Sequence, residues 1–309
     1  MAVSVLEPIS PAIERTRLVL FAPFDLNKWL GLGFCAFLAA LGSGGGGGGG
    51  NTGGGGGGDG EMDFEPAVEW VRDNVVIVAA VVAGVLLFGL LLGMLLTWLS
   101  SRGKFMLLDG VVCNRGAVVE PWHEYRREGN SLFKFRFCFG LFVLAMFVLL
   151  LAVCGLVAWP GIAQNQFGPS AILAAVGFVV GIIPIAIVSG VVELFLNDFV
   201  APVMYLRRIR VNEAWGVFYR EMLQGRAGTF VLYVLVKMVI AVVVGAAGIA
   251  IVCMTCCCAA LPYVGSVFML PLTVFVRCYS LYFIEQFGSN WRVFPQPGLE
   301  PLPAVPPSP

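Results

Sequence analysis

The chain has 309 residues, 59% of them hydrophobic and only 12% charged, with a mean hydropathy of +0.89. A soluble domain carries about 25% charged residues and about 45–50% apolar ones, so a chain this poor in charge cannot cover a water-facing surface, which excludes a soluble enzyme. Nineteen Lys and Arg balance nineteen Asp and Glu, so there is no global basic charge for nucleic-acid binding.

At the N-terminus, Ser10-Pro11 followed by Glu14 reads as a helix start, since Ser caps and Pro fits the first turn. That helix, over 11–22, is expected to lie along the membrane interface. A first span follows from Leu26 to Gly42, short against the ~20 apolar residues that a ~30 Å hydrocarbon core requires. Trp29–Leu41 could also be the apolar region of a signal peptide. However, Glu7, Pro11, Glu14 and Asp25 ahead of it are unlike a short basic leader.

Residues 42–60 hold 15 glycines and lead into an acidic stretch with Asp59, Glu61, Asp63, Glu65 and Glu69. A phosphate-binding loop would need a Gly-Lys-Ser/Thr ending, and this run has no lysine. A flexible coil with a span of roughly 25 Å is the reading. Four uncomplicated spans come next, at 75–99, 137–159, 171–192 and 229–252, the last carrying only Lys237. A further span at 261–284 contains Pro271 and Arg277. The last 15 residues hold seven prolines and read as a disordered, partly polyproline tail.

The expected architecture is therefore an all-α, polytopic bundle of six transmembrane helices with amphipathic helices on the cytoplasmic face. Its units are an N-terminal helix and first span (1–41), a Gly-rich acidic extracytoplasmic linker (42–66), a five-span membrane domain (67–294) and the tail (295–309). With both termini in the cytoplasm of a cell (inner) membrane, 18 of the 19 basic residues fall inside and only Arg72 outside, as the positive-inside rule asks. The seven tryptophans lie at or just beyond span ends, where indole rings favour the headgroup boundary.

The two large cytoplasmic loops resemble each other. Trp122, Tyr125, Arg126, Arg127 and Glu128 have counterparts in Trp215, Phe218, Tyr219, Arg220 and Glu221. In the second copy Trp215, Phe218, Tyr219 and Met222 share one helical face, so Trp122, Trp215, Phe218 and Tyr219 are expected to be interfacial anchors. Leu194–Phe199 and Tyr282–Phe287 give a weaker third echo, making a parallel repeat rather than the inverted type common in transporters.

The segments Phe21-Ala-Pro-Phe-Asp-Leu-Asn-Lys-Trp29, Asp198-Phe-Val-Ala-Pro-Val-Met-Tyr205 and Cys256-Cys-Cys-Ala-Ala-Leu-Pro-Tyr-Val-Gly265 resemble motifs of uncharacterised prokaryotic multi-pass membrane proteins. More distantly, the architecture is similar to the membrane domain fused to some glycerophosphodiester phosphodiesterases. The resemblance implies a membrane fold and no assigned chemistry.

Ionisable residues within spans are functional candidates by default. Glu193, Asp198, Lys237, Arg277 and Glu285 cluster toward one side. They read either as helix-locking ion pairs with snorkelling cations or as a zone serving a small solute or ion. Cys253 and Cys256–Cys258 are too close along one helix end to converge on a single ion, so no metal is expected, and one histidine (His123) leaves no catalytic triad. No catalytic residue and no cofactor follow. The partners expected are the lipid bilayer and either another membrane protein or a second copy, and nucleic acid is not among them. A non-enzymatic scaffold or lipid- or partner-binding module leads, with a small-solute or ion transporter as the alternative.

Overall fold

The computed structural model describes residues 3–41, 74–163, 169–255 and 262–294, and every regular element among them is helical. In chain order they are α1 (Ile9–Phe21), α2 (Leu26–Ala40), α3 (Val75–Val112), α4 (Val119–Glu124), α5 (Arg126–Ala163) and α6 (Pro169–Phe195). A π turn at Leu196–Val200 joins α6 to α7 (Ala201–Arg207). Then come α8 (Val211–Val217), a second π turn (Phe218–Leu223), α9 (Ala227–Met254), α10 (Pro262–Phe268) and α11 (Leu270–Glu285). The Gly-rich linker, the Pro-rich tail and Cys256–Cys258 lie outside the described residues.

Four helices are long and apolar enough to cross a membrane: Val75–Val112, Arg126–Trp159, Ile172–Arg207 and Ala227–Met254. Two of the six expected spans are shorter. Helix α2 has 15 residues, about 22 Å at ~1.5 Å per residue. The last expected span is broken at Met269 into α10 and α11, with Pro262 opening the first piece and Pro271 in the first turn of the second. Proline is tolerated at both places because first-turn N–H groups have no intrahelical partner. Pro184, in contrast, sits inside a continuous α6.

The 38 residues of α3 extend for about 57 Å, nearly twice a ~30 Å hydrocarbon core. The helix has two environments. Residues 75–97 are almost wholly exposed apolar side chains, whereas all of Ser100–Val112 is buried. The same division runs through the structure. The outward stretches of α5, α6 and α9 are exposed and apolar, and the buried residues gather around Phe105, Phe199, Phe218, Tyr233 and Phe283. Phe199 is the centre of this core, with ring centroids of Phe218, Phe230 and Tyr233 at 5.2, 5.1 and 5.0 Å.

Helix α2 runs antiparallel to the buried half of α3. Asp25 caps it by accepting from Asn27 N at 2.9 Å, and Lys28 Nζ donates to Asn114 Oδ1 beyond the far end of α3 at 3.2 Å. At the other end, Ser100 Oγ donates to the Ala39 carbonyl at 2.7 Å. Glycine permits the approach: a Cβ on Gly103 would lie 2.6 Å from the Ala39 nitrogen. Farther out along the helices, Gly181 packs on Leu150, whereas Gly177, Gly89 and Gly93 have nothing within 4 Å of a Cβ.

Helix α1 departs from expectation at its start. It begins at Ile9 after Pro8, so Ser10 lies inside the first turn rather than capping it. It packs against α11. Ala12, Thr16, Val19 and Leu20 face inward, Tyr279 Oη donates to the Val5 carbonyl at 3.0 Å, and Ser4 and Gln286 exchange two hydrogen bonds.

Gly103→Ala should lower stability by about 1–3 kcal/mol, because a methyl group is forced onto backbone. Gly89→Ala, with open space around it, should stay within about 0.5 kcal/mol of wild type. Unfolding of the two variants in mild detergent checks the contrast.

Candidate functional site

The site is assembled at a helix distortion. Pro202 has no backbone N–H and so cannot continue the α-helical ladder. The preceding turn widens to π geometry, with Ala201 N bonding the Leu196 carbonyl. That shift frees the Asn197 carbonyl, and Arg277 Nη1 from α11 donates to it at 2.7 Å. The widened turn also carries Asp198 inward, where it is 6% exposed.

Asp198 is closely held. Lys237 Nζ lies 2.9 Å from Oδ2, Tyr233 Oη donates to Oδ2 at 3.0 Å, and Ser280 Oγ donates to Oδ1 at 3.3 Å. Lys237 also sits 5.9 and 5.7 Å from the ring centres of Tyr233 and Tyr279. One turn earlier, Glu193 Oε1 receives Arg136 Nη2 at 2.7 Å and lies 3.7 Å from Lys104 Nζ. Lys104 reaches on to Asn197 Oδ1 at 2.5 Å, which links the Glu193 and Asp198 ends. One polar network thus joins α3, α5, the α6–α7 junction, α9 and α11.

Of the five residues expected in the charged zone, the structure brings together Glu193, Asp198, Lys237 and Arg277. Glu285 is elsewhere: its Oε1 accepts the backbone N–H groups of Val293 and Phe294 at 2.8 and 2.9 Å, tying the following segment to the end of α11. Lys104, Arg136 and Asn197 are the members that sequence reasoning missed. Their signal is present, since an apolar run from Phe105 to Leu108 continues beyond the end assigned to the span.

A second buried carboxylate was also missed. Asp109, 1% exposed, receives Arg115 Nε at 2.9 Å, Tyr205 Oη at 3.2 Å and Tyr125 Oη at 3.3 Å. The Tyr125 and Tyr205 rings stack at 5.1 Å, and Arg208 lies 4.1 Å over Tyr125. Burial pushes the Tyr125 hydroxyl above its ordinary range, so it stays a protonated donor to the carboxylate.

The expected anchors fall in different places. Trp122 meets Trp98 edge-on at 5.7 Å, and the Arg102 guanidinium covers both rings at 4.7 and 4.5 Å. Trp215 packs against Phe135 and Phe218. Phe218 and Met222 are fully buried and only Tyr219 is exposed, so most of that helical face meets the protein core rather than the membrane surface. Trp291 is likewise interior, with Arg207 stacked 4.3 Å over its ring; Trp70 lies outside the described residues.

Among the described residues, no group of three or more His, Cys, Asp or Glu could hold a metal ion. Two surface hollows, of about 280 and 350 Å³, are lined by Ile13, Thr16, Arg17, Phe21 and Phe275 and by residues around Lys28 and Arg115. Neither reaches Asp198, Lys237 or Glu193.

This arrangement defines an all-α protein with four helices fit to span a membrane and a buried polar network beside their packed ends. A model of the family of unknown function DUF7544 matches residues 3–276. The chain belongs to that family. No curated protein and no solved structure matches it, and the match shows no link to glycerophosphodiester phosphodiesterases.

Asp198→Asn should cost about 3–5 kcal/mol by leaving Lys237 buried without its counter-charge. Asp198→Asn combined with Lys237→Met should recover much of that loss. A double-mutant cycle in detergent reads the coupling, and additive losses would refute the pairing.

Proposed function

We propose that this chain is a non-enzymatic, multi-pass protein of the cell membrane that serves as a scaffold or a lipid- or partner-binding module. The observation that carries the reading is the satisfaction of the charged zone. Asp198, Lys237, Glu193 and Arg277 each have a partner from another helix, as expected of groups that lock helices together. A solute-conducting zone would instead leave groups facing a water-filled path.

The topology proposed has six crossings with both termini in the cytoplasm, and α2 and the α10–α11 pair are the short ones. The basic residues favour this orientation: the packed ends of the long helices carry Arg102, Lys104, Arg115, Arg136, Arg207 and Arg208, as cytoplasmic ends do.

A fluorescent protein fused to the C-terminus should fold and fluoresce, and an alkaline phosphatase fused there should be inactive. The reverse pattern would invert the orientation. Purified protein in liposomes should give no flux of ions or small solutes above protein-free liposomes. A flux abolished by Arg277→Ala in folded protein would establish transport instead.

A further inference from the structure

The smaller of the two hollows combines an apolar lining with one cation. About 280 Å³ in volume, it lies between α1 and α11 and is lined by Ile13, Thr16, Arg17, Phe21 and Phe275. Ile13, Arg17 and Phe21 are four residues apart, so they form one strip along α1, beside the face that Ala12, Thr16, Val19 and Leu20 turn inward. Ile13 and Phe21 are 56 and 51% exposed. Arg17 is exposed as well, and among the described residues it has no hydrogen bond, ion pair or ring contact. Glu14, a turn earlier, forms no ion pair with it. Arg15, in contrast, is engaged by the Val112 carbonyl and the Phe294 ring.

The apolar strip continues beyond α1. Phe24 before α2, and Leu26, Leu30 and Phe34 along it, are all exposed. Trp29 sits where the two helices meet, against Phe21 and Phe24, with Nε1 donating to the Leu20 carbonyl at 2.9 Å. In the six-crossing topology the start of α2 is its cytoplasmic end, and only residues 22–25 separate it from α1. Arg17 therefore stands at headgroup depth, with an indole at the boundary that such rings favour. An apolar hollow bordered by a free guanidinium matches the two parts of an anionic phospholipid. An acyl chain displaces water from Ile13, Phe21 and Phe275, and the guanidinium donates paired, charge-assisted hydrogen bonds to the phosphate. The volume is below the ~300–1,000 Å³ usual for small-molecule pockets, which suits one chain segment better than a compact solute.

We propose that the groove between α1 and α11 holds one anionic phospholipid, its acyl chain against Ile13, Phe21 and Phe275 and its phosphate on Arg17. This rests on the lipid-binding part of the function proposed above and gives it a site and a ligand class. Two substitutions separate the two halves of the contact. Arg17→Gln removes the cation and leaves the groove, whereas Ile13→Trp fills the groove and leaves the cation. Both side chains are exposed, so thermal midpoints should stay close to that of the wild type.

The full chain in mild detergent is titrated with phosphatidylglycerol or with phosphatidylcholine, and the lipid retained is read by native mass spectrometry. The wild type should retain one phosphatidylglycerol in preference to phosphatidylcholine. Arg17→Gln should weaken that retention about tenfold, the equivalent of one ionic contact, and abolish the preference. Ile13→Trp should lose retention of both lipids. Arg210→Gln, at an exposed arginine ahead of α8, should behave as the wild type. No retained phosphatidylglycerol in the wild type overturns the proposal, as does undiminished retention in folded Arg17→Gln and Ile13→Trp proteins. An equal loss in Arg210→Gln also overturns it, because general surface charge rather than the groove would then hold the lipid. Solute flux in the liposome assay would refute the scaffold reading without altering these outcomes.

Discussion

Burying a carboxylate and an ammonium within a membrane protein is tolerable only if each satisfies the other, and the packed half of this protein is arranged around that requirement. Asp198 reaches Lys237 because Pro202 forces a wide turn in the helix that carries it. The same turn releases a carbonyl that Arg277 occupies, bringing α11 against the junction of α6 and α7. Asn197 then passes the network to Lys104 on α3, and Glu193 passes it to Arg136 on α5. A single proline therefore has consequences on four other helices. Aromatic packing surrounds the network: Phe199, next to Asp198, contacts rings from the second π turn, α9 and α11, each such pair worth about 0.5–1.5 kcal/mol beyond its buried area.

The helices are consequently divided along their length. In α3 a lipid-suited stretch gives way at Trp98 to thirteen consecutive buried residues from Ser100 to Val112. Specificity of packing resides in the second part, where Gly103 lets α2 approach to backbone distance and Arg15 Nη2 donates to the Val112 carbonyl at the end of α3 at 2.8 Å. In the first part Gly84, Gly89 and Gly93 have open space where a Cβ would go. Hydrocarbon offers apolar side chains no hydrophobic gain from meeting one another, so the outward stretch of α3 has little reason to draw a neighbour onto these glycines, and its cohesion comes from the polar and aromatic packing at the other end.

What could be read from the sequence follows from the range of each signal. The four long helices were legible because a run of twenty apolar residues is a local property of composition. Glu193, Asp198, Lys237 and Arg277 were legible as a group because their depth can be counted from span ends. Lys104, Arg136 and Asp109 were not, because the rule that puts basic residues in cytoplasmic loops treats the segment from 100 to 136 as solvated, whereas α3 and α5 run on into the protein interior. Phe218 and Tyr219 show the same difficulty. They are neighbours on one helical face, and only the tertiary contact with Phe199 turns Phe218 inward and leaves Tyr219 outside. Glu285 shares the zone's chemistry but bonds to Val293 and Phe294, a local pairing that spacing alone does not reveal.

The buried charge pair holds the packed half closed, and native cysteines report on it directly. Cys278, beside Arg277, is fully buried, and Cys113, at the end of α3, is exposed. Pulsed labelling with a membrane-permeant maleimide, followed by mass spectrometry, should modify Cys113 quickly while Cys278 stays protected, and Asp198→Asn should release Cys278. Labelling of Cys278 as fast as Cys113 in the wild type would show that the packed half is not closed, and undiminished protection of Cys278 in the variant would show that the charge pair does not close it.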